Sequence, residues 1–287
     1  MASEENKPLL ICFPGISCHF SQDMKKILHA MNDHFKVKLV ETGASSDHAA
    51  WRNSTKLWRF NKAPEKHLYI QNGPGNVPNP PEFIKQCLDE EGDGAGYFLL
   101  GNSFGCKVIA CLLKSENDFF GPAGKIGNTP LGVIFCGFPL YKSPSDDKAA
   151  LIGLGLPEST HALFISGEKD EYLNEGSATG AEETRVTSNK RGETLLRSYI
   201  SILPCSSRTK LVMTAGRHGI MDGIKKSEYT NSVAVISGEI VRFAEKCAGV
   251  GKSDPTSHKT AKRSASKKRV NNDRSVPSSK KAKAISA

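Results

Sequence analysis

Two spacings of apolar residues alternate along most of the chain, and together they predict its architecture. Continuous apolar runs, such as Pro-Leu-Leu-Ile-Cys-Phe at 8–13, are typical of parallel strands that are buried on both faces. Amphipathic stretches with helical spacing lie between these runs. Strands are predicted at 8–13, 35–40, 97–100, 131–136, 161–166 and 209–214, and helices at 21–34, 81–88, 106–113, 193–203 and 228–247. This alternation indicates the α/β class, with a mostly parallel sheet and helices on both faces.

Individual positions add detail to two of these helices. Ser21 is expected to cap the first one, because its side-chain oxygen can accept a hydrogen bond from an N–H of the first turn. In the helix at 228–247, Val235 and Ile236 are among the residues predicted to face inward. The remaining segments are predicted as one helix at 44–64, a short strand or extended segment at 67–70, a rigid loop at 73–81 and a flexible surface loop at 174–192.

The sequence Gly-Asn-Ser-Phe-Gly at 101–105 lies between a predicted strand and a predicted helix. A buried strand, a Gly-x-Ser-x-Gly turn and an amphipathic helix together form a nucleophile elbow. The turn is so tight that the serine is strained, and glycines two positions away on each side leave room for it. Ser103 is therefore predicted to expose its hydroxyl beside the helix N-terminus. An ordinary glycine-rich turn is the alternative interpretation.

A serine hydroxyl becomes a nucleophile at neutral pH only with a base within hydrogen-bond reach and an acid that orients this base. Residues just beyond the carboxyl ends of parallel strands converge on one edge of the sheet. Asp170 and His218 both occupy such positions and are predicted to be the acid and the base for Ser103. Glu168 and Glu171 are the alternative acids. The order Ser, Asp, His along the chain is that of α/β-hydrolases.

An oxyanion hole is also required, with two backbone N–H groups directed at the oxygen that becomes negative. The residue after the nucleophile, Phe104, is expected to supply one of them. Ile16 is the predicted second donor, since Gly15 lets the loop after the first strand approach a substrate closely. A plain strand-to-helix turn is the alternative for this loop. His19 either lines the pocket or is exposed, and exposure is the favoured interpretation.

These motifs, together with two further segments, resemble a known family. Phe-Cys-Gly-Phe-Pro-Leu-Tyr at 135–141 and Leu-Phe-Ile-Ser-Gly at 163–167 are similar to the small dienelactone-hydrolase-like family within the α/β-hydrolase superfamily. That family includes testis-expressed hydrolase-like proteins and subunit 3 of the non-specific-lethal chromatin complex. The resemblance covers 7–247 and implies an α/β-hydrolase fold and a hydrolase scaffold, without naming a metabolite.

The spacing of the strands limits the size of any cap domain, and the cysteine content indicates the redox environment. Only about 25 residues separate the strands at 131–136 and 161–166, too few for a large helical cap domain. The eight cysteines are scattered, which is typical of buried free thiols in a reducing compartment. No Cys/His spacing suggests a zinc site, and the predicted chemistry needs no metal or organic cofactor. No apolar run is long enough to span a bilayer, and the start of the chain indicates neither a signal nor a transit peptide.

The net charge of +9 is concentrated at the C-terminal end. From Val250 onward there are eleven Lys and Arg but two Asp, so the preceding 249 residues are neutral. The chain is predicted to consist of a hydrolase domain at 7–248 and a disordered basic tail at 249–287. Two basic clusters, Lys268-Arg269 and Lys280-Lys281-Ala282-Lys283, lie ten residues apart. This spacing is typical of a bipartite nuclear import signal, and a solubilising arm or one that binds nucleic acid weakly is the alternative.

The sequence thus predicts a serine hydrolase, nuclear and/or cytoplasmic, that acts on a small carboxylic ester or thioester through an acyl-enzyme. The expected partners are this substrate and, through the tail, a nuclear import carrier and non-specific nucleic acid. A non-catalytic interaction module in a nuclear assembly is the alternative.

Overall fold

The computed structural model describes residues 7–15, 19–40, 80–92, 96–114, 119–120, 124, 126–139, 156–173 and 189–250. All of them belong to one compact unit, Met1–Lys252. Six strands form its sheet: β1 Leu9–Phe13, β2 Lys36–Leu39, β3 Tyr97–Asn102, β4 Gly132–Cys136, β5 Ala162–Gly167 and β6 Thr209–Thr214. The helices of the described residues are α1 Gln22–His29, α2 Pro80–Glu91, α3 Phe104–Lys114, α4 Asn189–Ser201 and α5 Lys226–Val250.

The six strands are all parallel and are arranged in the order β2-β1-β3-β4-β5-β6. The order reverses at β1, because the chain passes outward to β2 and then returns to the other side of β1. Ligands of doubly wound sheets bind beside such a reversal, at the carboxyl ends of the strands. β1 and β3 run side by side there, with Phe13 opposite Gly101.

Alternate side chains of the strands form two separate cores, one on each face of the sheet. Ile11, Leu99 and Phe135 contribute to the core beneath α2, α3 and α4. Leu10, Leu100 and Ile134 contribute to the core beneath α1 and α5. Because both faces are covered, β1, β4 and β5 are buried along their whole length, and this explains their uninterrupted apolar sequences.

The prediction of a mostly parallel sheet with helices on both faces is confirmed. Each of the six strands lies within two residues of its predicted position, and the bounds of β6 are those predicted. The predicted cap is confirmed as well, since the Ser21 hydroxyl oxygen accepts a hydrogen bond from the Met24 N–H at 3.2 Å.

Three local predictions were wrong. The first helix ends at His29 instead of 34, and turns follow it; Met31 is nevertheless fully buried, which explains why the apolar spacing appeared to continue. Helix α4 begins at Asn189, so 189–192 are helical and not part of a loop. Leu196 and Ile200 anchor this helix in the core, and that packing offsets the low helix propensity of glycine. Val235 is exposed, although its neighbour Ile236 is buried.

Several predicted segments lie outside the described residues. They are the helix at 44–64, the extended segment at 67–70, the loop as far as 79, the surface loop at 174–188 and the tail from 251 onward. The division into a domain at 7–248 and a basic tail therefore stays a prediction. Across the described residues, no helix combines the length and apolar character required to traverse a bilayer.

Candidate active site

Ser103 occupies a strained turn between β3 and α3. Its φ is 51°, in the left-handed region that residues with a side chain rarely adopt. The Ser103 N–H donates to the Cys136 carbonyl at 2.8 Å, and the Ser103 carbonyl accepts from the Cys106 N–H at 3.0 Å. The turn is thus held to β4 on one side and to the first turn of α3 on the other, and these bonds help to hold the serine in the strained conformation.

The two glycines that flank Ser103 are required by close backbone contacts. A Cβ on Gly105 would lie 2.2 Å from the Phe13 carbonyl oxygen, and one on Gly101 would lie 2.5 Å from the Cys106 nitrogen. Because neither glycine carries a side chain, α3 can start directly above the ends of β1 and β3. The strained serine and the steric need for both glycines agree with a nucleophile elbow.

The structure brings together the three side chains predicted to form a triad. Ser103 Oγ lies 2.7 Å from His218 Nε2, and His218 Nδ1 lies 3.1 Å from both carboxylate oxygens of Asp170. The tautomer that satisfies both contacts has Nδ1–H donating to Asp170 and Nε2 accepting from the Ser103 hydroxyl. Asp170 is fully buried, whereas 17% of the His218 side chain is exposed, so the site opens towards solvent at the histidine.

The order of the strands alone does not distinguish this sheet from other doubly wound folds, because flavodoxin-like proteins share it over five strands. The site distinguishes this fold from the others. The elbow follows β3, an acid follows β5, and a histidine that contacts the elbow serine follows β6. The chain has the α/β-hydrolase fold. The prediction of the fold class is therefore confirmed.

In this α/β-hydrolase fold, two further glycines determine where the histidine loop lies, that is, the segment 215–225 between β6 and α5 that carries His218. A Cβ on Gly137, just after β4, would lie 2.2 Å from the His218 carbonyl oxygen. A Cβ on Gly167, at the end of β5, would lie 2.2 Å from the Arg217 carbonyl oxygen. The backbone of the histidine loop therefore rests directly on the ends of β4 and β5, and it is placed by contacts between segments distant in sequence.

The histidine loop contains a second strained residue, Ile220, with a φ of 55°. A positive φ is unusual for a β-branched residue. The Thr214 hydroxyl donates to the Ile220 carbonyl at 2.8 Å, and the Ile220 N–H donates to the Arg217 carbonyl at 2.8 Å. Ile220 is itself fully buried. These contacts close the loop on either side of His218.

Sequence reasoning missed Tyr172, which contacts two members of the predicted triad. Its backbone N–H donates to Asp170 Oδ1 at 2.9 Å. Its ring lies on the imidazole of His218, with 4.2 Å between the ring centroids and 44° between the planes. The only available signal was an aromatic residue two positions after the predicted acid, and that pattern has no established meaning in a sequence.

The other predicted site residues have different outcomes. Phe104 is the first residue of α3, so its N–H lies at the helix N-terminus beside Ser103, as expected of an oxyanion donor. Ile16 lies outside the described residues, whereas the adjacent Gly15 approaches Ser103, since a Cβ there would be 3.6 Å from the Ser103 Cβ. His19 is exposed, as favoured from the sequence. The alternative acids, Glu168 and Glu171, are exposed as well.

Thiols close to the elbow offer no competing nucleophile. Burial raises the pKa of the Cys106 thiol, and it raises the pKa of Cys136 to about 12. Cys106 Sγ instead donates to the Gly101 carbonyl at 3.1 Å, which ties α3 to β3. Within the described part of the chain, no group of His, Cys, Asp and Glu side chains could hold a metal ion.

No protein-family model and no curated protein sequence matches the chain. Solved structures with a similar fold include a lidless α/β serine hydrolase from Xanthomonas campestris, at 10% identity and a TM-score of 0.44, covering 84% of this chain and 83% of that one. ClbQ from the colibactin pathway is 12% identical with a TM-score of 0.46, covering 85% and 100%. YbtT, a type II thioesterase from the yersiniabactin pathway, is 13% identical with a TM-score of 0.42, covering 86% and 96%. The assignment of the fold rests on the strand order and the geometry of the site.

Proposed function

We propose that the protein is a serine hydrolase that cleaves a carboxylic ester or thioester. The observation that carries this proposal is the continuous chain of contacts from Ser103 Oγ through His218 to the buried Asp170. A strained elbow costs free energy, and it places the hydroxyl beside a helix N-terminus, where negative charge is stabilised. Both features suit acyl transfer and have no evident use in a purely structural turn.

The proposed reaction begins when Ser103 Oγ attacks the acyl carbon while its proton passes to His218 Nε2. The tetrahedral oxyanion accepts hydrogen bonds from the Phe104 N–H and from an N–H of the loop after β1, for which Ile16 is the predicted donor. Asp170 remains ionised and stabilises the imidazolium through the Nδ1–H. Collapse breaks the bond to the leaving alcohol or thiol, which takes the proton from Nε2.

The second half of the reaction releases the acyl group. Water enters the position left by the alcohol or thiol, and His218 accepts one of its protons as the oxygen attacks the acyl-enzyme. A second tetrahedral intermediate forms and collapses, and the proton on Nε2 returns to Ser103 Oγ. The products are the carboxylic acid and the free serine, so the site is ready for another turnover without any co-reactant besides water.

Hydrolysis of matched substrates tests this proposal. The full-length protein is assayed with an oxygen ester and a thioester of the same short acyl group, and the acyl chain is then lengthened. Ser103→Ala and Asp170→Asn should each lower kcat by about 10⁴-fold or more. Ser198→Ala is the matched control, because Ser198 is an exposed serine on α4, far from the elbow in sequence, and it should keep full activity. Hydrolysis that survives in Ser103→Ala would contradict the proposal.

Two finer proposals accompany this one. The segments at 135–141 and 163–167 support membership of the small dienelactone-hydrolase-like family, and the basic clusters of the tail support nuclear import. Deletion of 249–287 from a fluorescent fusion should abolish nuclear accumulation, and unchanged accumulation would contradict the import proposal.

A folded protein without any acyl-transfer activity would favour the alternative, a binding module that uses the tail to reach acidic partners.

A further inference from the structure

We propose that Tyr172 is a positioning residue for His218, and this inference rests on the proposed hydrolase function. Within the described part of the chain, Tyr172 contacts Asp170 and His218 but not Ser103. It acts through two neighbours, holding the carboxylate of Asp170 with its backbone and the ring of His218 with its side chain. One residue thus connects the acid and the base from outside the chain of proton transfer.

The backbone contact fixes the carboxylate. The N–H of Tyr172 donates to Asp170 Oδ1 at 2.9 Å, and both carboxylate oxygens also face His218 Nδ1 at 3.1 Å. Residues Glu171–Leu173 form a single 3-10 turn, in which Leu173 is 1% exposed and belongs to the core. The buried leucine therefore anchors the backbone that carries the N–H, and the Tyr172 main chain is held firmly against the acid.

The side-chain contact fixes the plane of the base. Hydrogen bonds at Nδ1 and Nε2 define an axis through the imidazole but allow the ring to tilt about it. The centroids of the Tyr172 ring and the imidazole are only 4.2 Å apart, so a tilt towards the tyrosine would make the two rings clash. An aromatic face also attracts cations, and His218 becomes an imidazolium in the proposed reaction. The ring therefore limits the motion of His218 and lies beside the charge that it gains.

Kinetics of two tyrosine substitutions test this role. Tyr172→Phe keeps the ring and the backbone N–H, so kcat should remain within about twofold of wild type. Tyr172→Ala keeps the backbone but removes the ring, and kcat should fall by about 10- to 100-fold while KM changes by less than about threefold. Tyr199→Ala is the matched control, since Tyr199 is half-buried as Tyr172 is and packs against the core, but contacts no triad residue in the described part of the chain.

Three kinetic outcomes would overturn the proposal. An unchanged kcat in Tyr172→Ala would show that the hydrogen bonds alone position the base. An equal fall of kcat in Tyr199→Ala would show that any loss of aromatic packing has this effect. A rise of KM at constant kcat in Tyr172→Ala would make Tyr172 a substrate contact instead of a positioning residue.

A spectroscopic measurement separates this inference from the proposed function. The proton shared between His218 Nδ1 and Asp170 should give a downfield proton resonance in the full-length protein, which His218→Ala removes. Tyr172→Phe should retain this resonance, and Tyr172→Ala should broaden or lose it. If the wild type turned over no ester or thioester, the hydrolase proposal would fall, while the resonance would still report whether Tyr172 holds the pair. A resonance unchanged in Tyr172→Ala would contradict the positioning role.

Discussion

The elbow around Ser103 and the loop around His218 are built in different ways. Both contain a residue with positive φ that is not glycine, Ser103 at 51° and Ile220 at 55°. The elbow obtains its shape from Gly101 and Gly105, two positions on each side of Ser103, and from the helix that follows it. The histidine loop obtains its position from glycines in two other segments, Gly137 and Gly167, on which its backbone rests.

This difference separates the stability of the fold from the alignment of the site. Elements β3 and α3 meet directly at the elbow, so a change there affects the packing of the central strand and its helix. The histidine loop lies on the ends of β4 and β5 and can move slightly while the sheet remains intact. Substitutions of the two elbow glycines, Gly101 and Gly105, should therefore mainly reduce stability, and substitutions of the glycines beneath the histidine loop should mainly reduce activity.

Gly105→Ala should produce the largest effect on stability. The new Cβ would lie 2.2 Å from the Phe13 carbonyl oxygen, so β1 or α3 must shift, and the free energy of unfolding should fall by about 3 kcal/mol. Gly249→Ala is the control, because Gly249 is also helical but has nothing within 4 Å of its Cβ position. This variant should be as stable as wild type or slightly more stable. Chemical denaturation followed by circular dichroism measures both, and equal stabilities would contradict the account.

Gly137→Ala should lower activity more than stability. Its Cβ would lie 2.2 Å from the His218 carbonyl oxygen, and displacement of the histidine should lower kcat/KM by about 100-fold. Gly223→Ala is the matched control. Both glycines have a positive φ, 63° at Gly137 and 79° at Gly223, but a Cβ on Gly223 would have no atom within 3.4 Å. This control variant should lose about 1–2 kcal/mol of stability from backbone strain and keep its activity. Full activity in Gly137→Ala would break the proposed contrast between the two regions.

Thr214→Val tests whether the hydroxyl of β6 holds the strained part of the histidine loop. Valine keeps the shape but removes both the donor to the Ile220 carbonyl and the acceptor for the Gly216 N–H, and a buried polar group left unpaired costs about 1–3 kcal/mol. Thr214→Ser keeps the donor and should stay close to wild type. Thermal unfolding of the two variants gives the difference, and equal melting temperatures would show that the loop is held by its other contacts.

Ser166→Ala should have the smallest effect, and its sign is informative. The Ser166 hydroxyl is buried near the end of β5 and has no hydrogen-bond partner in the part of the chain that the structure describes. Removing an unpaired buried hydroxyl should leave the free energy of unfolding unchanged or raise it by up to about 1 kcal/mol. Denaturant titration measures this difference. A clear loss of stability would mean that this serine helps to hold the turn at 168–170, which follows β5 and carries Asp170.

The same contrast explains what the sequence could predict. The fold followed from apolar spacing, and all six strands were recognised. The inner strands β1, β4 and β5 are buried on both faces and need uninterrupted apolar residues, whereas the partly exposed strand β2 was recognised from its alternation of apolar and polar residues. Ser103 was recognised because its geometry depends on residues two positions away. Asp170 and His218 were placed by the rule that strand ends converge on one edge of the sheet.

Other features could not be read from the sequence, because they depend on contacts between distant segments. Gly137 and Gly167 appear as ordinary turn glycines until the histidine loop lies across them. Tyr172 has no distinctive spacing, and its role appears only where its ring meets His218. Val235 was wrongly assigned to the buried face, since the apolar residues of α5 extend further around the helix than the surface that it buries.

Labelling of the intact protein with a fluorophosphonate probe tests the central claim most directly, because the probe phosphonylates only a serine that a neighbouring base activates. We expect stoichiometric labelling that mass spectrometry locates on Ser103 and that is lost in both Ser103→Ala and His218→Ala. A folded wild-type protein that remains unlabelled, or labelling that persists in Ser103→Ala, would contradict this claim.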